Sequence, residues 1–177
     1  MACLFGSALS AETIGDVDFQ FPPSPYNWVL LTDTSTYPPL EGGEKIPLHI
    51  KMYTHKVGDV LEFFSATTLF DEEAEEEESE ETEQFHTSEF AQLFINDLLG
   101  NYFPNHRISI TNISEEKDAG FLEWEIDDGV QLIFHGVCRY MRVNQKDYIL
   151  NYTTMGSKTP QNIALWIDTL NQAKAID

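Results

Sequence analysis

The chain has 177 residues, of which 42% are hydrophobic and 12% aromatic, and it carries a formal net charge of −20. That length and apolar content suit one folded domain with a buried core and argue against a disordered chain. The charge leaves no basic patch for nucleic acid and opposes anionic membranes; a basic partner or a cation is compatible with it.

Residues 1–11, MACLFGSALSA, are apolar and end in small residues. Cleavage after Ser10 or Ala11 would put Ala8 and Ser10, or Leu9 and Ala11, at the two recognition positions of a signal peptidase. The basic start and longer apolar stretch of a signal peptide are missing. Residues 1–11 are therefore read as the remnant of a signal peptide that begins upstream, which makes the protein periplasmic or secreted. A strand-forming N-terminus of a cytoplasmic protein is the alternative. No stretch approaches the roughly 20 apolar residues of a membrane span. Two cysteines, Cys3 and Cys138, are too few for a disulfide framework.

Residues 12–177 read as a single domain. Val17, Phe19 and Phe21 alternate with Asp18 and Gln20 as a short strand, which Pro22, Pro23 and Pro25 stop. Trp28 to Leu31 starts a second apolar piece, and Thr32 to Lys45, with two prolines and two glycines, reads as a loop. Ile46 to Lys56 and Val60 to Phe70 form a hairpin turning at Gly58-Asp59. Between 71 and 83, ten of thirteen positions are Asp or Glu. Such like charges repel, so residues 71–84 are expected to be a disordered acidic insert. Ser88 to Gly100 is a capped helix with Phe90, Leu93, Phe94 and Leu98 on one stripe. Four strands follow as a meander: Arg107–Ile113, Gly120–Ile126, Val130–Val143 and Tyr148–Thr154. Asp127-Asp128-Gly129 and Asn144 to Asp147 are two of its turns. Thr159-Pro160 opens a last helix that buries Ile163, Trp166, Ile167 and Leu170.

The fold class is therefore α+β, a mostly antiparallel sheet with helices packed on it. Parity predicts one core face from Leu122, Trp124 and Ile126, from Val130, Leu132, Phe134, Cys138 and Tyr140, and from Tyr148, Leu150 and Tyr152. The opposite face carries Gln131, Ile133, His135, Val137, Arg139, Met141 and Val143, continued by Ile149, Asn151 and Thr153. It is half apolar, so either another layer covers it, such as the N-terminal segment, or it meets a ligand or partner. As a binding site its polar contacts would be Gln131, His135, Arg139 and Asn151.

This order of elements resembles the PsbP-like superfamily. The resembling parts are the paired strands Ile46–Phe70, the helix Ser88–Gly100, the meander Arg107–Thr154 and the closing helix with Trp166. That superfamily includes the PsbP protein of photosystem II, a Ran-binding nuclear import factor and many bacterial envelope proteins. The resemblance implies an α/β/α sandwich covered on both sides, and a non-catalytic binding or assembly module that is often exported. It implies no particular ligand. The acidic run and the Pro-rich loop at 37–39 are departures from it.

No motif specifies a reaction. His135 and Cys138 in HGVC are three apart and point to opposite faces of a regular strand, unless Gly136 marks a bulge. His49 and His55 share a face but lie roughly 20 Å apart at strand rise, so they cannot share a metal. No metal or cofactor is expected. Ser114 to Lys117 fits S-x-x-K without the partner motifs that chemistry needs, and reads as a polar turn. Asn112-Ile-Ser114 and Asn151-Tyr-Thr153 match the glycosylation pattern. Glu123 and Glu125 share one strand face about 7 Å apart, a spacing that can hydrolyse glycosides. Alternating Glu on the solvent face of an antiparallel strand is the commoner explanation.

Three functions fit these features. The first is a non-enzymatic, exported binding or assembly module. The second is an acidic immunity or inhibitor protein that neutralises a basic partner, which requires a compact acidic patch on ordered structure outside residues 71–83. The third is a small hydrolase using Glu123 and Glu125.

Overall fold

The computed structural model describes residues 11–21, 28–36, 48–57, 60–69, 99–100, 103–116, 119–155 and 160–176. The strands are β1 (Ala11–Ile14), β2 (Val17–Gln20), β3 (Val29–Thr36), β4 (Leu48–Val57) and β5 (Val60–Leu69). After them come β6 (Arg107–Glu115), β7 (Ala119–Asp127), β8 (Leu132–Val143) and β9 (Lys146–Met155). Helix α1 (Pro160–Leu170) and the two-residue strand β10 (Lys174–Ala175) close the chain. A seven-stranded antiparallel sheet runs β3-β4-β5-β9-β8-β7-β6, and a small sheet runs β1-β2-β10. The β5–β9 pairing joins the first hairpin to the meander.

Sequence alternation produces this sheet directly. In β7, AGFLEWEID, every second residue is buried, as expected for a strand whose side chains alternate between faces. Tight turns set the registers. Asp128 Oδ1 accepts from the amides of Val130 and Gln131, and Asp127 Oδ1 from that of Gly129, whose φ is 87°. Those backbone donors hold the Asp128 carboxyl below the usual range.

Both faces of the large sheet are covered. On one, Tyr53, Phe64, Ala66, Val137, Tyr148, Leu150 and Tyr152 pack against Val17 and Phe19 of β2 and against Ile163, Trp166 and Leu170 of α1. Trp166 stacks on Tyr152 with ring centroids 3.6 Å apart. On the other face Leu122, Trp124, Ile126, Cys138, Tyr140 and Ile149 form a second core, with Leu99 and Phe103 packed on it. Each fully buried side chain of this size contributes roughly 1.5–3 kcal/mol.

The closing helix and its buried stripe are as expected, but the described residues are richer in sheet than an α+β sandwich. Among the described residues α1 is the only helix of more than two residues. Thr32 to Thr36, expected to be loop, belongs to β3, where β-branched Thr side chains alternate with Asp33 and Ser35 against β4. The face assignment of the last strand is off by one residue. The turn is the two-residue pair Asn144-Gln145, with φ of 50° and 63°, which sets Val143 opposite Lys146. Odd residues therefore face even ones. Tyr148, Leu150 and Tyr152 stand beside Met141, Arg139 and Val137, whereas Ile149, Asn151 and Thr153 stand beside Tyr140, Cys138 and Gly136. The Val137–Met141 face is covered by α1 and by the N-terminal strands. The expected turn Gly58-Asp59, the loop at 37–39, the insert at 71–84, residues 88–98 of the expected helix and residues 1–10 lie outside the described residues.

Candidate functional site

The four residues named as contacts do not share one surface. Gln131 is exposed in the turn before β8. His135 is only 2% exposed, directly opposite Glu125 on β7 and Thr154 on β9. Arg139, 8% exposed, lies on the same face beneath α1. Its Nη1 donates to the Leu170 carbonyl at 2.6 Å, and its guanidinium carbon sits 5.5 Å from the centre of the Phe121 ring. Burial lowers its pKa, and the Glu116 carboxylate opposes that shift. Asn151 belongs to the opposite face. It accepts from Trp124 Nε1 at 3.0 Å and donates to Thr153 Oγ1 at 3.1 Å.

The HGVC stretch does not form a metal site. Registers on both sides of β8 run unbroken through Gly136, so His135 and Cys138 face opposite ways. Gly136 serves packing: a Cβ there would lie 2.3 Å from the Trp124 ring and 2.6 Å from the Tyr152 carbonyl oxygen. Burial pushes the Cys138 thiol up to about 12, so it is neutral. His49 bonds Asp33 at 2.7 Å, and that hydrogen bond holds the Asp33 carboxyl low. Among the described residues no three His, Cys, Asp or Glu side chains stand together as metal ligands.

Sequence reasoning missed a polar row crossing the sheet under α1. Glu62 on β5 pairs with His55 on β4 and Thr154 on β9, and Thr154 pairs with His135. The buried Glu62 carboxylate accepts from Tyr152 Oη at 2.6 Å and bonds His55 Nε2. Burial and then Glu62 raise the Tyr152 hydroxyl pKa. Trp28 lies 4.5 Å from the His55 ring, and Trp166 roofs Tyr152. The pairing follows from the hairpin register: Val57 stands opposite Val60, hence His55 opposite Glu62.

A cleft of about 210 Å³ opens at the other end of this face, where the β6–β7 edge meets the last turn of α1. Glu116, Glu123, Asn112 and Ser114 supply its polar lining, and Phe121 and Ile167 its apolar wall. Alternation along β7 turns Phe121 and Glu123 to this side. A register shift between Ile110 and Asn112 then sets Asn112 opposite Glu123 and Ser114 opposite Phe121. Asn112 Nδ2 donates to Glu123 Oε1 at 3.1 Å. Arg139 supports the Phe121 ring from below. Glu123 and Glu125 share a face as expected, but the cleft takes Glu123 with Glu116, while Glu125 stands between Ser109 and His135. Among the described strands β6 ends the sheet, and residues 111–116 are all exposed.

No family model matches the chain, and no curated protein matches it. Among solved structures it is similar to the solution structure of cyanobacterial PsbP (CyanoP) from Synechocystis sp. PCC 6803. The TM-score is 0.54 at 9% sequence identity, over 99% of this chain and 96% of that one. The fold is therefore PsbP-like. At such low identity the likeness concerns the fold alone.

Proposed function

We propose that this PsbP-like chain is a non-enzymatic binding or assembly module that acts in an exported compartment and takes a basic protein partner at the Glu116–Glu123 cleft. One observation carries the reading: two carboxylates share a cleft with an apolar wall, on a chain of net charge −20. A Lys or Arg side chain fits that chemistry, its stem against Phe121 and Ile167 and its charged head between the carboxylates. The acidic body steers such a partner and speeds its arrival.

The test must separate the cleft from bulk charge. Binding of Lys- and Arg-rich peptides would be compared for wild type, E116Q/E123Q and the charge-matched D18N/D168N. A loss confined to E116Q/E123Q supports the cleft; equal losses in both variants reduce the effect to net charge and sink the proposal. Export would be tested separately by cell fractionation with and without residues 1–11.

The inhibitor reading has its own support. Glu123, Glu125 and Asp127 on β7 and the neighbouring Glu116 form an acidic strip on ordered structure, outside residues 71–83. It differs in outcome, because a bound basic enzyme would lose activity.

A further inference from the structure

We infer that the partner segment enters as an extended strand beside β6, with basic residues at alternate positions and apolar residues between them. This rests on the cleft being the binding site, and it adds the conformation and sequence pattern of the ligand. An edge strand presents a row of backbone N–H and C=O groups ready to pair with another chain. Among the described strands the large sheet ends in β3 on one side and β6 on the other. At β3 the one carboxylate, Asp33, is already engaged by His49 at 2.7 Å and Lys51 at 3.9 Å. Beside β6 two carboxylates, Glu116 just past its end and Glu123 on β7, line one cleft, with Asn112 of β6 donating to Glu123. Charge complementarity therefore favours β6 for a basic strand.

Side-chain direction gives the pattern. Asn112, Ser114 and Glu116 all line the cleft, so alternate residues after the bulge face it. Ile113, between them, faces the other way and is 41% exposed. An added strand would lie about 4.8 Å from β6. Its residues would alternate in the same sense, each within roughly 5 Å of a β6 partner. Lys or Arg at positions i and i+2 would reach the carboxylates, and the residue between would cover Ile113. The register shift between Ile110 and Asn112 marks where regular pairing stops. The segment is therefore short, matching Asn112 to Glu116.

The test uses the full chain and synthetic peptides. One alternates Lys and Val over six residues. A second has the same composition in two blocks. A third is the alternating peptide N-methylated at every second residue, which removes backbone donors and keeps the charge. Affinity is read by fluorescence anisotropy, and amide protection of residues 112–116 by hydrogen exchange. The alternating peptide should bind about tenfold tighter than the block isomer, as a few cross-strand pairs imply. N-methylation should abolish that gain, and the β6 amides should slow. If all three peptides bind alike and E116Q/E123Q still loses binding, strand addition is overturned while the cleft reading stands. If the variant binds every peptide as wild type does, both fail.

Discussion

Arg139 is the most informative residue to change, because it is one of the contacts expected from sequence and the structure gives it another task. In Arg139→Met the side chain keeps an unbranched apolar stem and loses the guanidinium with its charge. The Nη1 bond to Leu170 is charge-assisted and 2.6 Å long; such a bond contributes roughly 1.5–3 kcal/mol. The cation at the C-terminal end of α1 adds about 0.3–1 kcal/mol through the helix dipole. The Phe121 contact at 5.5 Å adds roughly 0.5–1 kcal/mol. Against these stands the cost of burying a guanidinium, which Arg139→Met relieves. A net loss of about 2 kcal/mol follows, and at this chain length a lowering of Tm by roughly 4–8 °C. Urea denaturation followed by Trp fluorescence measures it. Arg139→Lys should recover part of the loss, because an ammonium reaches the carbonyl but does not lie flat over a ring. A methionine variant as stable as wild type would refute the anchoring role and return Arg139 to the candidate ligand contacts.

Three further outcomes are expected. Gly136→Ala should destabilise by about 2–4 kcal/mol, since its Cβ meets both an indole ring and a backbone oxygen; a stable variant with unchanged near-UV dichroism would contradict the packing described. Tyr152→Phe leaves the buried Glu62 carboxylate short of a donor and should cost about 1–3 kcal/mol, read as a lower urea midpoint; a neutral result would mean that the Tyr152–Glu62 bond does not stabilise the β5–β9 pairing. The pH dependence turns on Cys138, whose folded pKa is raised from 9.0 to about 12. The unfolded thiol ionises first, so this contribution is fully present below pH 9 and is lost as pH rises towards 12. At pH 10.5 wild type should have lost about 2 kcal/mol through this group, and Cys138→Ala should lack that increment. An identical alkaline decline in the two proteins would refute the assignment.

Much of the fold was legible because patterning and turn chemistry agree. The alternation in β7 and the Ile163–Leu170 stripe survive intact; the Asp127-Asp128-Gly129 turn lies where expected but runs on through Gln131, so β8 starts at Leu132 and Val130, expected in the core, is exposed. The PsbP-like layout followed from their order. What failed depended on partners remote in sequence. β3 reads as loop because its Thr and Ser carry little hydrophobic signal, yet β4 pairs with it residue by residue. β1 and β10 are short strands that exist by pairing with β2. The face of β9 depended on hairpin parity, and one residue there moves Asn151 from the α1 side to the other core. The cleft was hidden for the same reason. Glu116 belongs to a stretch that reads as a polar turn, and only the docking of α1 brings Ile167 and Asn171 to it.

If the β6–β7 cleft engages the partner as proposed, the acidic run at 71–84 is dispensable for binding. A hydrogen-exchange footprint of the full chain with the alternating Lys–Val peptide tests this most directly. Protection centred on residues 112–123 and 167–171, retained when residues 71–84 are deleted, is the predicted result. Protection confined to 71–84, or binding lost with that deletion, would contradict it.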